Sequence, residues 1–151
     1  MPADDEVFDS PTGWVADHIR QYVASGGETG HVFHGVPALL LTTTGRRSGR
    51  RRRTALYYGE DDGRYLLVAS NGGSVGHPAW YLNLTADPDV EVQVGAERFT
   101  ARARTAGPEE KPALWRRMVE VFPQYDQYQA KARREIPLVI LERSPQPRPG
   151  H

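Results

Sequence analysis

The sequence predicts an α+β domain that is mainly β, a small closed barrel with helices inserted between its hairpins. Three observations carry this expectation. Runs of strand length at 37–43, 54–58, 64–70, 90–94, 99–103 and 136–141 are rich in aliphatic, aromatic and β-branched residues. Glycine-bearing turns separate several of them. Helical periodicity is confined to stretches before or between them. At 151 residues, 38% hydrophobic and 25% charged, the chain suits one domain with one core, and no internal period indicates a repeat fold.

Taken in order, residues 1–13 are expected to be a mobile N-terminus, 14–143 a single domain and 144–151 a disordered proline-rich tail. Trp14, Val15, Ile19, Tyr22 and Val23 share one side of a helix whose other side carries Asp17, His18, Arg20 and Gln21, and Gly26-Gly27 ends it. This amphipathic entry helix reads as a cap over the core, with contact at a membrane surface as the alternative. The strand at 37–43 ends in threonines. Residues 54–58 and 64–70 flank Gly59-Glu60-Asp61-Asp62-Gly63 and read as a hairpin. A short helix is expected from Pro78. Val90, Val92 and Val94 alternate with polar residues, as do Phe99, Ala101 and Ala103 after a Gly95-Ala96-Glu97 turn, which predicts a second hairpin with one wet face. Leu114, Trp115, Met118, Val119 and Phe122 mark the inner side of a helix over 108–121. A helical piece with Tyr125 and Tyr128 follows, and the apolar run 136–141 reads as a central strand.

Composition excludes several function classes. The chain has no cysteine, which removes disulfides, thiolate metal sites and cysteine nucleophiles. No apolar stretch approaches the roughly 20 residues of a membrane span, and the acidic start lacks the pattern of a signal peptide. A cytoplasmic location is expected, with peripheral attachment at the inner face of the membrane through residues 14–23 as the alternative. His31 and His34 lie in a glycine-rich stretch without a ligand motif, and no metal site is assigned.

Acidic and basic residues are equal in number, 19 each, yet six of the eight residues from Arg46 to Arg53 are arginine. Charge so concentrated points to an anionic partner, because guanidinium groups bind phosphate and carboxylate in two-pronged fashion. Gly45 and Gly49 let the backbone turn sharply and could aim N–H groups at an anion, as a nest does. The spacing is not that of a P-loop. A solvated basic loop is the plain alternative. A nucleic-acid arm is disfavoured by the balanced charge of the chain.

A second constellation follows the strand at 64–70. Ser70-Asn71-Gly72-Gly73 offers a small side chain and exposed N–H groups against which a flat ligand could lie. Ser70 is no hydrolase nucleophile, since no Gly-x-Ser-x-Gly elbow surrounds it. Trp80 reads as core and Asn83 as a local cap. Tyr125 and Tyr128, three apart on a helical turn, either line an apolar pocket or belong to the core.

These residues carry a resemblance over about 37–141. The runs Leu41-Thr42-Thr43-Thr44-Gly45-Arg46-Arg47-Ser48-Gly49, Ala69-Ser70-Asn71-Gly72-Gly73, Pro78-Ala79-Trp80-Tyr81-Leu82-Asn83-Leu84 and Ala86-Asp87-Pro88, with 122–128 before the last strand, resemble the actinobacterial deazaflavin-dependent nitroreductase family. That resemblance implies a split β-barrel of the flavin-reductase type. It also implies hydride transfer from reduced coenzyme F-420, an 8-hydroxy-5-deazaflavin, to quinones or nitroaromatics. By position, Arg46, Arg47 and Arg52 would lie near the coenzyme's phosphate and glutamate tail. Ser48, Gly49, Ala69 and Ser70 would hold the deazaflavin ring, with Tyr57 at the ring pocket. Ser70, Tyr125 and Tyr128 would place the acceptor and serve the chemistry. The chain departs from the family pattern at Arg47 and Asn71, where lysines are expected, and at Phe122, where a tyrosine is. A flavin mononucleotide oxidoreductase on the same barrel, or a deazaflavin-binding protein without turnover, are the competing readings.

Overall fold

The structure, a computed structural model, describes residues 7–9, 13–25, 32–33, 36–70, 76–132 and 134–144, of which 7–9, 13–18, 32–33 and 36 are described in backbone only. In chain order the elements are β1 (Val7–Asp9), α1 (Gly13–Ala24), β2 (Val32–Phe33), β3 (Val36–Thr44), β4 (Arg51–Tyr57), β5 (Gly59–Asp61), β6 (Arg64–Val68), α2 (Ala79–Ala86), β7 (Asp89–Val94), β8 (Glu97–Thr105), α3 (Lys111–Val121), α4 (Gln124–Lys131) and β9 (Leu138–Arg143). The strands form one curled sheet in the order β1-β4-β3-β7-β8-β9-β6-β5, with β2 added to β3. Neighbours are antiparallel except β1, which runs parallel to β4 at Arg51, Arg52 and Arg53. This is a split β-barrel.

The split follows from the path of one segment. β4 pairs with β3 and β5 pairs with β6 at the far end of the sheet, yet Tyr58 alone separates β4 from β5. The covalent chain therefore closes the barrel at that corner, while β4 and β6 diverge from it without being hydrogen-bonded to each other. The hairpin expected between 54–58 and 64–70 is accordingly corrected. The segment read as a loop supplies β5, and the turn is Asp62-Gly63, with φ of 53° and 77°. Two positive φ values define the tight turn whose twist matches paired strands, and glycine meets that requirement without a Cβ penalty.

Three apolar layers hold the sheet. Inside the barrel, Leu39, Leu41, Leu67, Val90, Val92, Phe99, Val139 and Leu141 are buried together, with Trp80 and Tyr81 of α2 packed against them. Leu66, Leu138 and Ile140 face the opposite way and are covered by Leu114, Met118 and Tyr125 of α3 and α4. β9 is buried on both faces and lies between β8 and β6, so the expected central strand is central.

On β3, Leu40 meets Ile19 and Tyr22 of α1, so the described apolar side of the entry helix caps the sheet. No described helix is long and apolar enough to cross a membrane. The helix-ending Gly26-Gly27, His31, His34, Asn71-Gly72-Gly73 and nearly all of the expected terminal tails lie outside the described residues.

Tyr22 pins α1 by its hydroxyl, which accepts from the Gly95 N–H at 2.6 Å and points at the carbonyl oxygens of Ala38 (3.1 Å) and Gln93 (3.3 Å). Removing it strands a donor and two acceptors beneath a fully buried ring. Tyr22→Phe should cost about 1–3 kcal/mol of unfolding free energy, read as a lower urea midpoint at constant slope. An unchanged midpoint would show that water replaces these bonds.

Candidate active site

The arginine turn is built by its own backbone. Gly45 N–H donates to Arg50 O at 2.7 Å, Gly49 N–H donates to Gly45 O at 2.8 Å, and Arg50 N–H donates to Ser48 Oγ at 3.2 Å. Gly49 has φ of 72°. The expected nest is thus corrected at these positions: the N–H groups of residues 45, 49 and 50 close the turn and are not aimed at a ligand.

Strand alternation sorts the arginine side chains of β4. Residues paired across an antiparallel ladder share a face, and the register joins Thr43 to Arg52, Thr42 to Arg53 and Thr44 to Arg51. Arg51 bonds Glu91 at 3.2 Å, so it is committed to an ion pair on the outer face, where the register also puts Arg53. Arg52 lies on the Thr43 face, with its Nε 3.6 Å from where a Cβ on Gly45 would stand. Arg46, Arg47 and Arg52 are exposed and make no ion pair with any described carboxylate. Uncompensated guanidinium groups grouped in this way suit a ligand with several negative oxygens.

Asn83 fixes Arg46 and does more than the local cap expected of it. Its side chain, 4% exposed, accepts from the backbone N–H and from Nη1 of Arg46, both at 3.2 Å. Its Nδ2 donates to Thr43 Oγ1 at 3.3 Å. One amide thus joins α2, the end of β3 and the turn. The sequence offers no signal for this beyond an asparagine in a helix, because the partner lies 37 residues away.

At the other end of β4, Tyr57 meets Phe122 at 5.0 Å between ring centres, and Phe122 meets Tyr125 at 5.0 Å and Tyr128 at 6.2 Å. Three of the expected residues, Tyr57, Tyr125 and Tyr128, therefore come together around a phenylalanine that brings no hydroxyl. Burial raises the Tyr57 phenol, with Tyr128 adding to the effect. Burial raises Tyr125 further, with Tyr57 and Tyr128 contributing. Tyr125 is 5% exposed and stays protonated at physiological pH, which makes it a donor and not a base. The Tyr128 hydroxyl donates to Gln124 Oε1 at 3.1 Å.

Ala69 and Ser70 form the third group, at the end of β6, both buried. Ala69 N–H donates to Pro137 O at 3.0 Å. The guanidinium of Arg134 donates through Nη2 to Ala69 O (3.2 Å) and Ser70 O (2.9 Å). No motif or spacing in the sequence marks Arg134. The three groups thus flank β4 and the end of β6, the two strands that diverge at the split. The edge of β4 beyond Arg53 is not paired with any described strand.

Comparison with known proteins agrees with this architecture. Residues 14–143 match the model of the family described as F420H(2)-dependent quinone reductase. An F420H(2)-dependent quinone reductase of Mycobacterium tuberculosis is 41% identical over 130 residues, 83% of this chain and 87% of the relative. The solved structure of an F420-H2 dependent reductase is 43% identical, with a TM-score of 0.66 over 70% of this chain and 94% of that one. A solved domain-swapped dimer is 39% identical, with a TM-score of 0.69 over 88% of this chain and all of the other.

If Asn83 sets the turn, Asn83→Ala should weaken binding of oxidised coenzyme F-420 roughly tenfold, the equivalent of about 1.4 kcal/mol. Fluorescence titration checks this, with the melting temperature as control. Full affinity in a folded variant would mean that the guanidinium groups need no such anchor.

Proposed function

The chain belongs to the F420H(2)-dependent quinone reductase family, and we propose that it transfers hydride from reduced coenzyme F-420 to quinones, and to nitroaromatics of similar shape. The observation that carries this reading is the charge beside the split: Arg46 and Arg47 on the turn and Arg52 on β4 are exposed without described carboxylate partners, while the aromatic group lies at the other end of β4 and Ser70 just past the end of β6. A long ligand with an anionic tail and a flat polar ring matches that polarity. From Arg51 to Tyr57, β4 spans roughly 20 Å at about 3.3 Å per residue. Arg52 and Tyr57 lie on opposite faces of β4 by the parity of the strand, and a ligand touching both can cross at the unpaired edge of that strand.

In this reading Arg46, Arg47 and Arg52 hold the phosphate and carboxylates of the tail, and Ser48 and Gly49 line the turn beside them. Ala69, Ser70 and Tyr57 border the ring. When bound, the reduced deazaflavin supplies a hydride from a ring carbon and is poor at one-electron chemistry. The chain's task is then to orient donor and acceptor and to keep water out. A quinone that takes up one hydride and one proton becomes a hydroquinone, so the site must deliver one proton per turnover. Tyr125, held protonated by burial, is suited to hydrogen-bond the developing oxyanion without ionising, and the proton itself is drawn from solvent or through this hydroxyl once solvent can replace it. In this reading the Ser70 hydroxyl offers the same stabilisation. Tyr128, whose hydroxyl is engaged by Gln124, serves as wall. Peripheral membrane contact through residues 14–23 has less support, because Ile19 and Tyr22 are fully buried against the sheet.

The deciding experiment is a fluorescence titration with oxidised coenzyme F-420 and, separately, flavin mononucleotide, at low and moderate salt, followed by turnover with a quinone and a nitroaromatic. Preference for the deazaflavin with affinity falling as salt rises is expected, since exposed charges are screened within about 10 Å at 0.1 M. Preference for the flavin overturns the assignment, and binding without turnover leaves a carrier. A second test uses pH. Because Tyr125 is raised above its ordinary value near 10, kcat should show no tyrosine-dependent fall up to about pH 9. An alkaline limb at lower pH that Tyr125→Phe removes would show that its phenol is not raised, and a fall on the acid side that the same variant removes would make it a base instead.

A further inference from the structure

The Ser70 segment owes its position to residues outside the motifs that resemble a cofactor site. Its backbone is gripped from one side by the chain between α4 and β9. Pro137 O takes the Ala69 N–H, and Arg134 donates to both the Ala69 and Ser70 carbonyls. Arg134 is itself anchored. Gln129 Nε2 donates to Arg134 O at 2.9 Å, and Gln129 Oε1 accepts the Ile136 N–H at 2.8 Å. Lys111 of α3 donates to Ile136 O at 2.6 Å. The remaining arm of the guanidinium, Nη1, lies 2.9 Å from His77 Nδ1, just before α2.

We propose that Arg134 is a positioning residue for the reaction, a buckle that fixes the Ala69-Ser70 backbone against the start of α2, with neutral His77 as its catch. This rests on the function proposed above. A guanidinium has no acceptor, so His77 Nδ1 must accept, with the imidazole proton on Nε2. Protonation of Nδ1 would remove the acceptor and set two like charges at that distance. Arg134 and the Tyr81 ring, 4.9 Å away, are the described titratable groups against His77. Burial, reinforced by Arg134, holds the imidazole below its ordinary range, so the catch is closed at neutral pH and opens as pH falls through that lowered value. The Ser70 carbonyl then loses part of its restraint, and its hydroxyl its register with the acceptor. Displacements of about 1 Å at such a group cost on the order of a hundredfold in rate.

The test compares wild type, Arg134→Ala, Arg134→Lys and His77→Gln. Imidazole proton NMR on ligand-free protein, with the His77 signal identified by its loss in His77→Gln, should show a midpoint below about 6.5 that rises in Arg134→Ala as the like charge is removed. In turnover with a quinone, Arg134→Ala should lower kcat about tenfold or more, while affinity for oxidised coenzyme F-420 changes less than about threefold. Millimolar guanidinium should restore part of the loss. Arg134→Lys, which keeps the charge but not the fork, should fall between. Wild-type kcat should decline on the acid side, and His77→Gln, whose amide can accept without titrating, should flatten that decline.

Parallel loss of kcat, coenzyme affinity and melting temperature without rescue, or the same acid limb in His77→Gln, would reduce Arg134 to a structural residue. Should wild type reduce no quinone, the functional reading fails, and the NMR comparison still decides whether His77 and Arg134 are coupled.

Discussion

The corner at Tyr58 is the constraint on which the rest of the molecule depends. A barrel closed by hydrogen bonds all round has no edge and no place for a long ligand between strands. Here the closing step is covalent: one residue carries the chain from β4, bonded to β3, into β5, bonded to β6 at the other end of the sheet. The two walls must therefore meet at 58–59 and can separate elsewhere. Burial of Tyr58, with its ring against Tyr65 at 5.6 Å, keeps that corner in the core, and burial lifts its phenol to about 12. Arg46 and Arg47 on the turn and Arg52 on β4 lie to one side of that separation, and Ser70, just past the end of β6, lies to the other.

Given that separation, the pleat decides which arginines are available. The ladder puts Arg51 and Arg53 opposite Thr44 and Thr42 and sends Arg52 to the side of Thr43 and Asn83. Glu91 neutralises Arg51 at a partly exposed pair, a contact worth little in stability but enough to spread that charge over the outer face. The run of like charges is thus less a single clamp than a strand carrying two kinds of arginine. The part on the Thr43 side is continued by the turn, where Arg46 is held by an amide and not by a carboxylate. That distinction matters for a site meant to receive an anion, since a carboxylate anchor would cancel the charge it positions.

Local pattern in the sequence makes much of this legible, and its failures share one cause. The valine hairpin from 89 to 105, the central strand at the C-terminal side and the helix with Leu114 and Met118 all announce themselves by periodicity or by a turn type. The register of β4 does not. Two adjacent hydrophobic runs with a glycine-rich link look like a hairpin, and nothing local says that the link itself pairs while its upstream flank joins β3. The same limit hides Asn83 and Arg134. Each acts on residues far along the chain, 37 positions in one case and 64 in the other, so neither their spacing nor their type marks them. Tyr57 is legible through resemblance alone, Tyr125 and Tyr128 also through their spacing, and the structure adds that Phe122 is the ring they share.

The division of labour that emerges separates touching from holding. The groups suited to touch a ligand sit on turns and strand ends: Arg46 and Arg47 on a tight turn, Ser70 past the end of β6, Tyr57 at the last residue of β4. Such positions are the least restrained in any sheet, because the ladder that would order them has run out. Here each is ordered by a side chain from a different element. Asn83 of α2 holds the turn, the segment after α4 holds Ser70 through Arg134, and the α3–α4 junction holds Tyr57 through Phe122. Hydride transfer demands little from a protein beyond orientation and exclusion of water. A site of this kind can therefore differ in which oxygens and rings it contacts while depending throughout on the helices packed behind it.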